Sequence, residues 1–332
     1  MEPSRHFRTF LTEKFNLRYP IILAPMFLVS NAKMMIAAHK AGIIGCLPAQ
    51  NYRTLEELST TLTKLDNDKI PYGINLIVNQ SNPFWEKQFE IILNSKCRFI
   101  LTSLGNPSEV IKKSHAKNIL VFCDVTDTFY AKKVEALGAD AIFAVNSGAG
   151  GHLGKIPASI LVPMLKKECK IPVIAAGGVG SGSGVLSMLA LGTEGASIGS
   201  PFLASTESPI SPEYKNACLN YGAEDIVTST KISGTPCTVI NTPYVQKIGT
   251  SQSWFEKLLY KNKKLKKYIR MLTYYRGMKL LEKAAFQASY QTVWCAGPSI
   301  EFSNKEESIE IIVNRIAKEL ETSQIELKNK FS

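Results

Sequence analysis

The stretch AIFAVNSGAGGHLGKIPASILVPMLKKECKIPVIAAGGVGSG, residues 141–182, contains the pattern that decides the fold. Two short apolar runs, at 141–145 and 172–176, each end in a glycine-rich loop. The sequence between them, at 158–169, has helical periodicity. A continuous apolar run is typical of a strand that is buried on both faces of a parallel sheet. The stretch therefore predicts a strand, a helix and a second strand parallel to the first.

The same unit recurs along most of the chain. Apolar runs predict eight strands, at 20–24, 42–47, 72–78, 98–102, 119–123, 139–145, 172–176 and 195–199. Helical patterns follow them, at 31–40, 54–65, 83–93, 107–116, 128–137, 158–169 and up to about 191. Eight strand–helix units in about 200 residues predict an α/β fold, a closed (β/α)8 TIM barrel. The main alternative is an open doubly wound sheet, but its dinucleotide-binding fingerprint is poorly met.

The pattern stops after residue 236. We therefore predict a barrel over residues 1–250 and a helical C-terminal extension, packed on the barrel, over 251–332. Within the extension, 305–321 is a clear amphipathic helix. The segment 254–283 holds ten Lys/Arg and two Glu and also has helical character. Such a basic segment can bind nucleic acid, anionic lipid or an acidic protein partner, but a run of this kind is more often a solvated helix face.

Composition narrows the class of protein. The 332 residues are 45% hydrophobic, which excludes global disorder. No apolar run approaches the roughly 20 residues of a membrane span, and the first six residues lack a signal-peptide core. The seven cysteines are scattered without a Cys-x-x-Cys pair, so we expect reduced thiols, no metal site and a cytoplasmic location. We expect neither a transmembrane segment nor a nucleic-acid partner.

In such a barrel the functional face is formed by the loops that follow the strands. Polar or glycine-rich residues end six of the predicted strands, at 25–26, Asn75, Asp124, the loop around His152, 177–178 and 199–200. The last two pairs end the seventh and eighth strands, where backbone N–H groups and a short helix can bind a phosphate. The alternative is that these glycines only permit tight turns.

Three of these positions allow two interpretations each. His152 lies among glycines, from which it could reach a substrate and titrate near neutral pH, or simply face water. Asn75 interrupts an apolar strand, so its amide either binds a ligand ring edge or ties down a neighbouring loop. Asp124 follows the fifth strand and is either an acid/base or a helix N-cap, and capping is the commoner role.

Several segments in order resemble the nitronate monooxygenase family, formerly called 2-nitropropane dioxygenases. The resemblance runs over about residues 19–240. It rests on APM at 24–26, YGINL at 72–76, GAGGHLG at 148–154, AAGGV at 175–179 and GSPFL at 199–203, which Glu207 and Ser208 follow. The later VWCAGP at 293–298 also resembles a family segment.

The resemblance implies an FMN-dependent enzyme. It assigns His152 to the active-site histidine that faces the substrate. It implies oxidation of an alkyl nitronate, or another small carbon acid, by O2 to a carbonyl compound and nitrite. The residues implied to bind FMN are Ala24, Pro25, Met26, Asn75, Asp124, Gly150, Gly151, Gly177, Gly178, Ser197, Gly199 and Ser200.

The sequence departs from the family in three places. Residues 145–149 lack the usual glutamine and glutamate, 199–202 read GSPF in place of Gly-Thr-Arg-Phe, and Asp124 stands where many members carry lysine, glutamine or valine. Two alternatives therefore stay open. One is an FMN-dependent enoyl-acyl carrier protein reductase that uses NAD(P)H and docks an acidic carrier protein on 254–283. The other is a non-catalytic flavin-binding protein that docks through its basic helices.

Overall fold

The computed structural model describes residues 7–79, 82–231, 235–251, 277, 279–282, 284–286 and 293–331. The strands in chain order are β1 (Ile21–Leu23), β2 (Ile44–Pro48), β3 (Tyr72–Val78), β4 (Phe99–Gly105), β5 (Leu120–Val125), β6 (Ala141–Val145), β7 (Gly151–His152), β8 (Val173–Ala176), β9 (Ala196–Ile198), β10 (Ile226–Ser229) and β11 (Cys237–Ile240). Eight of them, all except β7, β10 and β11, form a closed parallel barrel. The barrel closes where β1 pairs with β9, with Ile22 opposite Ser197. The predicted (β/α)8 barrel is confirmed.

Helices separate the barrel strands as the periodicity predicts. The α-helices whose bounds fall within the described residues are, in chain order, α1 (Phe10–Phe15), α2 (Ala32–Lys40), α3 (Leu55–Asn67), α4 (Trp85–Leu93), α5 (Ser108–His115), α6 (Thr128–Ala136), α7 (Ala158–Glu168), α8 (Gly182–Ala190), α9 (Pro212–Asn220), α10 (Pro243–Ile248) and α11 (Ile309–Asn329). The start of α3 shows why the helix boundaries can be predicted from sequence. Thr54 accepts a hydrogen bond from the Glu57 backbone, and the Glu57 side chain accepts one from the Thr54 backbone, which forms a capping box.

One end of the barrel is filled by aromatic rings. Phe99 and Phe122 stack with centroids 4.6 Å apart, and Phe15 from α1 lies 5.5 Å from Phe99. Gly73 on β3 makes room for this stack, because a Cβ there would lie 2.2 Å from the Phe99 ring. Truncation of such a buried ring costs about 3–5 kcal/mol. The closed end leaves the opposite end, where the strands finish in polar and glycine residues, as the place for a site.

A small antiparallel sheet, in the order β10–β11–β7, lies outside the barrel. Cys237 pairs with His152 and Thr238 pairs with Gly151. This sheet was not predicted, because β7 has only two residues, too few for any periodicity. The sheet fixes the loop that carries His152.

The C-terminal helix α11 packs on α8. A Cβ at Gly182 would lie 2.1 Å from the Leu320 backbone nitrogen, so glycine permits the close approach of the two helices. The helix predicted over 305–321 begins later, because Ser308 caps it, and it extends to Asn329. Most of the lysine-rich segment 254–283 lies outside the described residues, and the division at residue 250 stays a prediction. Within the described ranges, no helix is both long and apolar enough to span a membrane.

Candidate active site

A cavity of about 1330 Å³ opens at the carboxyl ends of the barrel strands. Every residue that the sequence analysis assigned to the site lines this one cavity. They are Ala24, Pro25, Met26, Asn75, Asp124, Gly150, Gly151, His152, Gly177, Gly178, Ser197, Gly199 and Ser200. The convergence follows from the barrel, which brings all strand ends to one face.

One wall of the cavity is built mainly from backbone. This glycine wall comprises residues 149–151, 177–179 and 199–200. Gly177 and Gly178 have φ of +113° and +73°, conformations that L side chains rarely adopt. A Cβ at Gly177 would lie 2.5 Å from the Ala149 nitrogen, and one at Gly148 would lie 2.8 Å from the Gly178 Cα. The two loops therefore pack backbone against backbone and exclude side chains.

Asn146 holds these two loops together. Its Nδ2 donates to the carbonyl oxygens of Ala176 (3.0 Å) and Gly177 (2.9 Å), and its Oδ1 accepts from the Gly148 nitrogen at 2.8 Å. The residue is buried. Asn146 was not among the predicted site residues, although its position as a polar residue directly after an apolar strand is a usable signal. A buried amide with its bonding groups satisfied fixes the geometry of the wall.

The segment 293–297 completes the glycine wall. The Gly297 nitrogen donates to Ser200 Oγ at 2.9 Å, which leaves the Ser200 hydroxyl hydrogen to donate elsewhere. A Cβ at Gly150 would lie 2.9 Å from the same Gly297 nitrogen. Ser200 also begins a short 3-10 helix, Ser200–Phe202. A hydroxyl donor beside closely packed glycine backbone fits an anionic group such as a phosphate.

The opposite wall is built from side chains. This acid wall comprises Asn75, Ser103 and Asp124, which lie on the adjacent strands β3, β4 and β5. Asn75 Nδ2 donates to Ser103 Oγ at 2.7 Å and to the Leu101 carbonyl at 3.1 Å. Ser103 Oγ in turn donates to Asp124 Oδ2. The Asn75 amide thus ties β3 to the adjacent strand β4 rather than to a neighbouring loop, and its binding of a ligand ring edge stays a prediction.

Asp124 does not take the capping role that its residue type favours. The prediction that it caps the next helix is wrong, because Asp127 caps α6 by accepting from the Tyr130 nitrogen at 2.9 Å. Asp124 instead faces the cavity. Burial raises the pKa of its carboxyl to about 6, and the hydrogen bond from Ser103 opposes that rise. The carboxyl can therefore hold or release a proton just below neutral pH.

His152 lies on β7 and faces the cavity. Thr238 on the paired strand β11 fixes the backbone beside it by donating to the carbonyl oxygens of Ala149 (2.9 Å) and Gly151 (3.3 Å). The imidazole is exposed to the cavity, but the protein walls around it desolvate the cation and lower its pKa below the ordinary value. The ring is therefore neutral at pH 7 and can accept a proton.

Residues 24–26 form the part of the cavity beside β1. Ser30 Oγ accepts from the Met26 nitrogen at 2.9 Å and donates to the Ala24 carbonyl at 2.8 Å, which closes a tight turn. Met26 packs beside Gly199, where a Cβ would lie 3.5 Å from its Sδ atom. Among the described residues, His, Cys, Asp and Glu form no cluster of three or more that could hold a metal ion.

The fold and the site define a TIM-barrel protein with a cavity at the carboxyl ends of its strands and a glycine wall after its seventh and eighth barrel strands, β8 and β9. The model of the family described as nitronate monooxygenase matches residues 80–319, so the chain belongs to that family. It is therefore related to flavin-dependent oxidoreductases, as the resemblance implied.

Curated relatives carry two different names. A (3aS,4S,5R,7aS)-5-hydroxy-7a-methyl-1-oxo-octahydro-1H-indene-4-carboxyl-CoA dehydrogenase from Rhodococcus jostii is 31% identical over 242 residues, 73% of this chain and 68% of its own. A probable nitronate monooxygenase from Staphylococcus saprophyticus is 27% identical over 287 residues, 72% of this chain and 80% of its own. The relatives are named as oxidoreductases, which supports an enzyme rather than a binding protein without turnover.

Solved structures confirm the fold. FabK from Thermotoga maritima superposes with a TM-score of 0.84 at 24% identity and covers 98% of this chain and 99% of its own. A nitroalkane oxidase from Streptomyces ansochromogenes superposes with a TM-score of 0.76 at 22% identity and covers 96% and 99%.

Proposed function

We propose that this protein is an FMN-dependent oxidoreductase that oxidises an alkyl nitronate, or a similar small carbon acid, with O2. A nitronate would yield a carbonyl compound and nitrite. The observation that carries the proposal is that the glycine wall and His152 face the same cavity. The wall suits the phosphate of a cofactor, and the histidine suits a reacting substrate.

The residues of the cavity fit FMN by their chemistry. The backbone of Gly150 and Gly178 and the hydroxyl of Ser200 would hold the phosphate. Residues 24–26 and Asn75 would lie along the rest of the cofactor. FMN supplies the redox chemistry, and the protein supplies position and electrostatics.

His152 and Asp124 would handle protons in this cavity. Because its pKa is lowered, His152 is neutral at pH 7, so it can accept a proton from an acidic carbon or donate its ring N–H to a nitro oxygen. Asp124 loses its proton only near pH 6, so it presents a carboxylate above that pH and a hydrogen-bond donor below it.

The test starts with the absorbance spectrum of the purified protein and the chromatographic identification of any flavin released by heat. The proposal expects FMN, O2 consumption on addition of propyl-2-nitronate, and nitrite in the medium. A protein that carries FMN but neither consumes O2 nor forms nitrite with a series of alkyl nitronates would contradict nitronate oxidation. Absence of any flavin would contradict the cofactor.

Cavity size favours a second candidate, the NAD(P)H-dependent reduction of an enoyl thioester. The cavity of about 1330 Å³ exceeds the roughly 300–1,000 Å³ of common small-ligand pockets. Apolar side chains also stand exposed near its mouth, including Leu104 at 58% and Tyr130 at 53% exposure. The Rhodococcus relative is named for a CoA thioester substrate.

The two candidates separate in one assay. For an enoyl thioester reductase, NAD(P)H oxidation under anaerobic conditions rises when an enoyl-CoA is added, and nitronates have no effect. For a nitronate oxidase, the nitronate alone reduces the flavin, and the enoyl-CoA changes nothing.

A further inference from the structure

Two cysteines meet in the wall of the cavity. Cys237 on β11 and Cys295 in the segment 293–297 have their Sγ atoms 3.8 Å apart, although 58 positions separate them in sequence. Both line the cavity. Cys237 is buried, and Cys295 is half-buried. The small sheet and the segment 293–297 thus place two thiols side by side in the lining of the cavity.

The surroundings hold the backbone of both cysteines in place. Cys237 pairs with His152 in the small sheet. The Cys295 carbonyl accepts a hydrogen bond from the Tyr214 hydroxyl at 2.5 Å, and the Tyr214 ring stacks on the neighbouring Trp294 at 5.4 Å. Neither thiol has a part in the proposed flavin chemistry, so their pairing calls for a separate explanation.

We propose that Cys237 and Cys295 form a redox-active dithiol, which a peroxide entering the cavity converts into an intramolecular disulfide. The sulfur atoms must approach from 3.8 Å to about 2.05 Å, a movement that side-chain rotation provides where the two Cβ atoms are close. The inference does not depend on a flavin, since hydrogen peroxide is the oxidant.

The two thiols take different parts in the reaction. Cys295 is the more accessible, so its thiolate attacks the O–O bond, which breaks to leave a sulfenic acid on Cys295 and one water after protonation. The sulfur of Cys237 then attacks the Cys295 sulfur, the S–S bond forms, and the sulfenic oxygen leaves as a second water. The two sulfurs lose two electrons, the peroxide gains them, and the thiol protons enter the two waters.

Cys237 suits the second step rather than the first. Its hydrogen bond with Cys295 and its burial both raise the pKa of its thiol, which disfavours a free thiolate there. Its position beside Cys295 nevertheless makes it the nearest partner for a sulfenic acid formed on that residue.

The disulfide would connect two parts of the site. Cys237 belongs to the strand that fixes the His152 loop, and Cys295 lies two residues before Gly297, whose nitrogen bonds Ser200. Oxidation would therefore fasten the His152 loop to the glycine wall. A closed loop of this length stabilises a folded chain, so the oxidised protein should melt at a higher temperature than the reduced one.

The experiment uses the full-length protein as purified, reduced with a phosphine, desalted and exposed to hydrogen peroxide. Free thiols are then blocked with N-ethylmaleimide, and the protein is digested with trypsin without reduction. Cys237 and Cys295 fall on tryptic peptides 232–247 and 284–305, each of which holds a single cysteine. We expect one cross-linked species of these two peptides and a loss of two of the seven titratable thiols, both reversed by dithiothreitol.

Single substitutions assign the two roles. With Cys237→Ser, peroxide should leave a sulfenic acid on Cys295 that dimedone traps, and no cross-link should form. With Cys295→Ser, Cys237 should stay reduced under the same exposure. The fully buried Cys218 gives the matched control, and Cys218→Ser should cross-link like the unmodified protein.

The wild-type mapping decides the proposal even where a variant fails to fold. Recovery of both peptides in maleimide-labelled form after peroxide treatment would overturn it. So would a stable sulfenic acid on Cys295 without a cross-link, or cross-linking of either peptide to other cysteines instead.

Discussion

The two walls of the cavity are built by opposite means. The glycine wall consists mainly of backbone, which the buried Asn146 holds in place. It has no room for side chains, because a Cβ at Gly177, for example, would lie 2.5 Å from the Ala149 nitrogen. The acid wall consists of the side chains Asn75, Ser103 and Asp124, linked by hydrogen bonds across three strands. The first wall is sensitive to volume, and the second is sensitive to charge.

This difference separates two effects that are usually mixed in a mutagenesis study. A side chain added to the glycine wall should affect occupancy of the cavity without adding a titratable group. An isosteric change in the acid wall should alter the response to pH without altering the shape of the cavity. Variants of the glycine wall should therefore change cofactor occupancy, and variants of the acid wall should change the dependence on pH.

The largest effect is expected for Gly177→Val. Gly177 has φ of +113° and no space for a Cβ, so valine adds backbone strain and a clash with Ala149. We expect loss of bound flavin and a destabilisation of about 3 kcal/mol or more. The flavin-to-protein absorbance ratio after gel filtration and a denaturant titration measure the two effects.

The matched control for Gly177→Val is Gly138→Val. Gly138 also has a positive φ, of +92°, but it lies away from the cavity and a Cβ there would meet only Ile111 at 3.7 Å. This variant should lose some stability through backbone strain and keep its flavin. If both variants retained a full complement of flavin, the glycine wall would not be the cofactor site.

His152→Ala is expected to separate flavin binding from catalytic turnover. The side chain faces the cavity, and the Thr238 hydroxyl fixes the backbone around it. The variant should keep its flavin spectrum, while kcat falls by about 10² or more through loss of general acid–base catalysis. His39→Ala, on the outer helix α2, is the control that should retain activity. Normal turnover by His152→Ala would remove this residue from the chemistry.

The barrel and most of the site could be predicted from sequence because the signals are local. Continuous apolar runs mark the buried strands, and glycines after them mark the face where loops approach a ligand. The capping role favoured for Asp124 is wrong because Asp127, only three residues later, occupies the cap position. Capping preference describes a residue type, and only the register of the helix start decides which aspartate is used.

The remaining features depend on contacts between distant residues. Ser103 became part of the acid wall only when β3, β4 and β5 lay side by side, and Thr238 reaches Ala149 across 89 positions. Cys237 and Cys295 show the same limit, since no spacing rule connects them. Periodicity reports which face of an element is buried, but it contains nothing about the partner.

Asp124→Asn, in the acid wall, is expected to have a smaller effect, a change in how the free energy of unfolding depends on pH. In the folded protein the Asp124 pKa is raised from 3.8 to about 6, so between these values the native state binds more protons than the unfolded state. The free energy of unfolding should therefore fall as pH rises from about 4 to about 6, and level off above that. Asparagine stays neutral and can still accept from Ser103.

Asp124→Asn should thus be more stable than the unmodified protein above pH 6, by about 1–2 kcal/mol, and equal to it below pH 4. Urea titrations of the flavin-free proteins across this range measure the difference. Asp68→Asn, at an exposed helix end, controls for the loss of a surface carboxylate. A difference that is constant with pH would contradict burial of a titrating Asp124.

The smallest effect is expected where the small sheet supports the glycine wall, at Thr238→Val. Valine has the shape of threonine but removes the hydroxyl that donates to the Ala149 and Gly151 carbonyls. The cost should be about 1 kcal/mol in the free energy of unfolding. These bonds fix the loop that carries both the glycine wall and His152, so kcat and flavin retention should both decline a few-fold. A variant of the acid wall should not lower both.

The neighbouring strand offers the control for this last variant. Thr228 on β10 pairs directly with Thr238 but is exposed, so Thr228→Val makes the same chemical change on the same sheet without touching the loop. Thr238→Ser should restore most of the stability, since the hydroxyl returns. Equal effects of Thr228→Val and Thr238→Val on kcat would mean that the substitutions act through the strand propensity of valine and not through the lost hydroxyl. A selective loss in Thr238→Val would instead show that one side-chain hydroxyl couples the volume-sensitive wall to the histidine.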